Sequence, residues 1–183
     1  MSHIGLLFCK SLNDPIAFWA MLLSIFTLAL FFLAWWQLSK LSKTSSGEFI
    51  HKFKTDFFTK ETRQLIMLVD NNCLIFKNDS FPYFEVKIDS KVPDQIKSAI
   101  DKEFYTGYEV DDYLLGHFED LGIFRARRII DIDIIYESFS WYIEKAWKNK
   151  EIQKYIKVQK EVEGSDIYEN FEEIYNACVK KSP

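Results

Sequence analysis

The side chains with the most chemistry to offer are one histidine and a run of carboxylates: His117, Glu119 and Asp120, followed by Asp131, Asp133 and Glu137. Oxygen ligands with a single imidazole suit Mg²⁺ or Mn²⁺, and such a site would make the chain a metal-dependent hydrolase. Asp133 and Glu137, four residues apart, share a helix face. His117 and Glu119, two apart on a helix, point in different directions. Asp131 and Asp133 also stand where a helix start wants an accepting oxygen. The spacing therefore favours capping and surface charge over a cation site, and neither a metal nor a cofactor is expected.

A second cluster is basic: Arg125, Arg127 and Arg128 lie between two helical stretches. Forked guanidinium contacts could clamp a phosphate or an acidic partner. The same charges at a helix C-terminus are favoured by the macrodipole without any ligand. Aromatic residues make up 17% of the chain, and Trp141, Tyr142 and Trp147 crowd one helix. Exposed, they would mark a contact surface; buried, they would fill a core of large residues. Glycine-rich phosphate loops, Gly-x-Ser-x-Gly, His-Glu-x-x-His and Cys-x-x-Cys are all missing from the sequence. Cys9, Cys73 and Cys178 have no ligand spacing, and unpaired thiols fit a reducing compartment.

The elements that position these groups begin with Ile16–Trp36, 21 residues without a charge. As a helix this stretch spans about 31 Å, close to the hydrocarbon thickness of a bilayer. It lacks the basic start and small-residue cleavage site of a signal peptide. A transmembrane helix over 15–39 is expected, with Trp19, Trp35 and Trp36 as interfacial anchors beside Lys40 and Lys43. Lys40, Lys43, Lys52 and Lys54 outnumber Lys10, which Asp14 offsets. That bias puts residues 1–14 outside as a short tail and residues 48–183 in the cytoplasm, at the inner (plasma) membrane. Residues 40–47 read as a juxtamembrane linker, because Ser45-Ser46-Gly47-Glu48 has capping-box spacing for a new helix. That helix would carry Phe49, Phe53 and Phe57, facing a core or lying on the membrane.

Beyond it the pattern is mainly helical. Thr59 opens a helix to Asp70, Pro93-Asp94 opens another that reaches Phe104, and Gly107 follows its end. Val110, Leu114, Phe118 and Leu121 form one stripe, and Asp131 or Asp133 starts a helix with Ile135, Phe139, Tyr142, Ile143 and Ala146. Ile152, Tyr155, Ile156 and Gln159 mark the next. Tyr168, Phe171, Ile174, Tyr175 and Cys178 mark the last, after Gly164-Ser165-Asp166. Around 73–88 the helical period lapses, and Phe84, Val86 and Ile88 alternate as in a small β-hairpin. Short connections make an antiparallel helical bundle the expected domain. Setting Lys10, Lys40, Lys43 and Asp14 aside from 23 basic and 27 acidic residues leaves that domain a net charge of −6. A nucleic-acid partner is thereby disfavoured.

The runs Gly116-His117-Phe118-Glu119-Asp120-Leu121-Gly122 and Ile129-Ile130-Asp131-Ile132-Asp133-Ile134-Ile135-Tyr136-Glu137, with Trp147 and Tyr168-Glu169-Asn170-Phe171 downstream, resemble a family of uncharacterised bacterial proteins. The likeness covers roughly 48–179. It implies a single N-terminal span, a helical cytoplasmic region and a setting in accessory or antiviral gene cassettes. It implies no reaction and no catalytic residue. The resulting expectation is a non-catalytic membrane-anchored protein that binds a protein partner or forms a homo-oligomer, the hydrolase being the alternative.

Overall fold

The computed structural model describes residues 15–90 and 92–182, so the tail expected at 1–14 lies outside the described residues. The chain divides into two units, Met1–Ile50 and His51–Pro183. The first helix, α1, runs from Pro15 to Phe57, 43 residues. Proline at its first position has the helical φ already set and gives up a donor that would have had no partner. Ser24 and Thr27 hydroxyls donate to the carbonyls of Ala20 and Leu23 at 2.9 and 2.8 Å, so both polar side chains are satisfied within the helix. Ile16–Leu38 is long and apolar enough to cross a membrane, and none of it is buried. Trp19, Trp35 and Trp36 are exposed, and the Lys40 ammonium lies over the Trp36 ring at 4.5 Å. The Lys43 side chain lies outside the described residues.

The break expected at 40–47 is absent: the helix runs through it. Gly47 alone costs a helix only about 1 kcal/mol. Continuous hydrogen bonding on both sides outweighs that, so the capping-box spacing starts nothing here.

In the second unit, Thr59 caps α2 (Lys60–Asp70), its hydroxyl accepting from the Thr62 amide at 3.2 Å. Strands β1 (Leu74–Asn78) and β2 (Pro82–Val86) form the expected hairpin, with Phe76 opposite Phe84. A third strand, β3 (Phe104–Thr106), adds antiparallel to β2, with Tyr105 opposite Phe84. Three strands with a buried face hold where a two-stranded hairpin alone is marginal. Phe84 and Tyr105 are fully buried, and the Phe76 amide donates to the Glu151 carboxylate at 2.9 Å.

The region before β3 differs from expectation. Helix α3 covers only Asp94–Ala99, and the chain is extended by Phe104. Gly107 begins a helix rather than following one. Thr106 and Glu109 form a reciprocal capping box that opens α4 (Gly107–Val110). A π-helical turn, Asp111–Leu115, leads into α5 (Gly116–Ala126). The stripe of Val110, Leu114, Phe118 and Leu121 is buried as expected. Helices α6 (Ile132–Lys148), α7 (Lys150–Glu163) and α8 (Glu169–Lys181) follow. Between α6 and α7, buried Asn149 accepts from Glu151 and Ile152 amides and donates to the Val69 carbonyl at 3.2 Å. Tyr168, expected on the last helix, stands just before it in the left-handed region, at φ 61°.

Helix α8 packs against both α5 and α6. The α5 contact is a backbone approach, because a Cβ at Gly122 would lie 2.3 Å from the Asn170 carbonyl oxygen. Neither backbone can give way as a side chain would. Gly122→Ala is therefore expected to destabilise the second unit by about 1–3 kcal/mol, the range of core overpacking. Thermal unfolding followed by circular dichroism checks this, and an unchanged midpoint would mean that α8 is not docked this closely.

Candidate functional site

The carboxylates singled out by sequence are dispersed into structural tasks. Glu119 on α5 faces the start of α8, where its oxygens accept from Asn170 Nδ2 at 2.6 Å and the Phe171 amide at 2.8 Å. It thus satisfies the start of a helix whose N-cap residue, Tyr168, provides no side-chain cap. Asp131 caps α6, accepting from the Asp133 amide at 3.1 Å. Asp133 pairs with Lys181, while Asp120 and Glu137 are exposed. His117 is half-buried with its ring edge-on to Phe53 and Phe57, at centroid distances of 5.7 and 5.5 Å. Burial lowers its pKa and keeps the imidazole neutral. Among the described residues, no three His, Cys, Asp or Glu side chains are grouped so as to hold a metal ion.

The arginines also separate. Arg125 lies 3.7 Å from Glu173 of α8, whereas Arg127 and Arg128 are exposed at the end of α5. Arg128 adopts φ 57°, the left-handed turn that ends the helix. Of the two tryptophans, Trp147 belongs to the core side: it meets Phe171 edge-on at 4.9 Å and stacks on Tyr175 at 5.5 Å. Trp141 is 45% exposed, with Tyr142 edge-on at 5.0 Å and the Lys145 ammonium 5.5 Å above its ring. A cation already occupying that face leaves a presented indole edge rather than an empty aromatic cage.

The group that sequence reasoning missed centres on Asp111, the first residue of the π turn. Its two carboxylate oxygens accept separately from the hydroxyls of Tyr155 on α7 and Tyr168 before α8. Burial pushes its pKa up to about 6, against the two hydroxyl donors, which lower it; Glu163 and Asp112 add to the rise. Both tyrosines are raised above their ordinary value, first by burial and then by the Asp111 charge and hydrogen bond. Two glycines make room. A Cβ at Gly107 would lie 2.9 Å from the Tyr155 ring, and one at Gly116 2.9 Å from the Asp111 carbonyl. That carbonyl accepts the Gly116 amide and closes the π turn. π turns recur at functional positions in proteins. The only trace in the sequence is an Asp-Asp pair flanked by Gly107 and Gly116, and nothing local says that its partners are tyrosines far along the chain.

Among the described residues, two surface depressions are open to solvent. One lies between α2 and α3, lined by Phe58, Arg63, Met67 and the Lys60–Asp101 pair, joined at 2.6 Å. Another lies on the outer face of the sheet, around Phe81, Tyr83, Glu85 and Phe104. Neither gathers a nucleophile, a base and an oxyanion donor in one place. No protein-family description, no curated protein and no solved structure matches this chain.

The placement of the carboxylates predicts stability effects of graded size. Glu119→Ala strips charge-assisted bonds from the start of α8 and is expected to cost about 2–3 kcal/mol. Asp131→Ala removes an ordinary cap and costs about 1 kcal/mol. Glu137→Ala, at an exposed position, changes stability by less than about 0.5 kcal/mol. Chemical unfolding of the three variants checks the order. A metal site would instead make all three weaken binding of added Mn²⁺.

Proposed function

We propose that this chain is a single-pass protein of the inner membrane whose C-terminal domain lies in the cytoplasm and works by binding rather than by catalysis. The observation that carries this reading is the exposed apolar surface of Ile16–Leu38. In water such a surface would cost tens of kcal/mol, at roughly 25 cal/mol per Å². In a bilayer it costs nothing, and its backbone groups are already paired within the helix. Trp35 and Trp36, with Lys40 folded over the second ring, have the composition of an interfacial belt. The lysine excess after the span supports the cytoplasmic orientation.

The work of the domain follows from what its side chains are committed to. Of the acidic groups singled out by sequence, Glu119 and Asp131 satisfy helix-start N–H groups and Asp133 pairs with a lysine. The domain's one inward histidine is neutral, and the two depressions described above lack convergent reactive groups. Helices α5 to α8, with their short connections, fit an antiparallel bundle, while the β1–β2 hairpin separates α2 from α3. Such a bundle, carrying a presented Trp141, suits a protein partner or a second copy of the chain. The resemblance to bacterial accessory and antiviral proteins supplies the setting: an effector or accessory component that assembles at the membrane.

Two measurements test the proposal. The chain is expected to stay with the membrane through an alkaline carbonate wash, and a variant lacking Ile16–Trp36 is expected to be released as a folded soluble domain. Release of the full-length chain would overturn the membrane assignment. The mass of the detergent-purified complex is expected to correspond to a closed homo-oligomer or to a defined complex with a partner. A lone monomer carrying a divalent cation would point to the hydrolase instead.

A further inference from the structure

Asp111 is anchored in a way that no helix needs. Its carboxylate receives one hydroxyl from the middle of α7 and another from the residue that opens α8, so a single side chain joins three segments. Tyr168 reaches it from the left-handed region, a conformation that a bulky aromatic residue adopts only when its surroundings hold it there. The Gly107 backbone approaches the Tyr155 ring too closely for any Cβ. Gly116 likewise leaves room for the π turn that aims Asp111 inward. The same segment continues to His117, whose ring packs on Phe53 and Phe57.

We propose that Asp111, Tyr155 and Tyr168 form a proton-operated latch, which fastens the α7–α8 connection to the π turn more tightly as the pH falls. The ionisable groups facing the carboxylate are Tyr155 and Glu163 from α7, Tyr168 at the start of α8, and neighbouring Asp112. None of these is a cation. What favours the ionised form is the pair of hydroxyl donors, and burial works against it. When Asp111 takes a proton, its new O–H can donate to one tyrosine oxygen while its carbonyl oxygen still accepts from the other tyrosine. The three groups stay bonded without a buried charge.

The sign of the effect follows from linkage. In the closed latch the pKa of Asp111 is raised to about 6, whereas in an opened, hydrated latch it returns toward the ordinary 3.8. A group whose closed-state pKa is raised binds its proton more tightly when closed. The latch is therefore firmest below the ordinary value and loosens as pH rises through the raised one. Between about pH 7 and about pH 5 the two pKa values give a roughly tenfold change in the opening equilibrium.

Hydrogen exchange of the full-length chain in detergent, read by mass spectrometry over 164–172 and corrected for intrinsic exchange rates, tests this. The native chain is expected to gain roughly tenfold protection on acidification from about pH 7 to about pH 5. Asp111→Asn, which keeps the shape and cannot titrate, is expected to show no such change. Tyr168→Phe removes one donor to the carboxylate and is expected to move the midpoint of the change to higher pH. That second variant keeps the test alive if the first fails to fold. Parallel pH profiles for the native chain and Asp111→Asn, or an unmoved midpoint in Tyr168→Phe, would overturn the latch.

Discussion

The second unit is organised around Phe57, the last residue of α1, which has no exposed surface. Rings of Phe53, Phe58, His117, Phe118, Phe139 and Tyr142 surround it at centroid distances of 5.0–6.4 Å. Full burial of one phenylalanine contributes about 2–3 kcal/mol, and each well-placed ring pair about 0.5–1.5 kcal/mol more. Those six neighbours come from α1 itself, the α1–α2 link, α5 and α6. Removing this one ring would thus open a cavity shared by four segments. It also explains why His117 is neutral: an imidazolium here would be a charge among apolar rings.

Much of this was legible from periodicity, where packing and local sequence agree. The faces of α6 and α7 emerged nearly whole: Ile135, Phe139, Ile143 and Ala146, then Ile152, Tyr155, Ile156 and Gln159, are all buried, while Tyr142 is half-buried. Caps at Thr59 and Asp131 were readable because a cap is a local hydrogen bond. What escaped was set by distant partners. Residues 104–106 join a strand only because β2 offers an edge, and Tyr105 is then held by Gln64 of α2 at 3.3 Å. The capping box of Thr106 and Glu109 was present in the sequence, but Gly107 between them read as a helix end. At 40–47 the opposite happened, a local start signal overridden by continuous helix.

The candidate site shows the same division. Sequence gathered Glu119, Asp131, Asp133 and Glu137 because they are close along the chain, yet Glu119 serves the start of α8, Asp131 caps its own helix, Asp133 pairs with Lys181 near the end of α8 and Glu137 is exposed. Glu119 is spent on α8, about fifty residues away, and that contact is a matter of tertiary geometry alone. Capping roles also explain why so acidic a domain can be stable. The carboxylates of Asp131, Glu109 and Asp133 are set against a backbone N–H group or lysines rather than against one another, the helix cap contributing about 1 kcal/mol and the exposed lysine pairs little.

Two acids on one short segment show how far environment decides behaviour. Glu109 bonds to the Lys102 ammonium at 2.7 Å and to Thr106, and Lys102 holds its pKa below the ordinary carboxylate value. Asp111 is buried against neutral hydroxyls with no cation among the groups that shift it, and its pKa moves the other way. By linkage, Glu109 stabilises the fold above its ordinary value of 4.5, and that contribution is lost as pH falls further through its lowered value. Asp111 stabilises most where it is protonated, and its contribution is lost as pH rises through about 6. The two windows do not coincide, so mild acidification engages Asp111 before it weakens the capping box. The turn that carries both groups is consequently held best in weakly acidic conditions, a property of two side chains separated by a single valine.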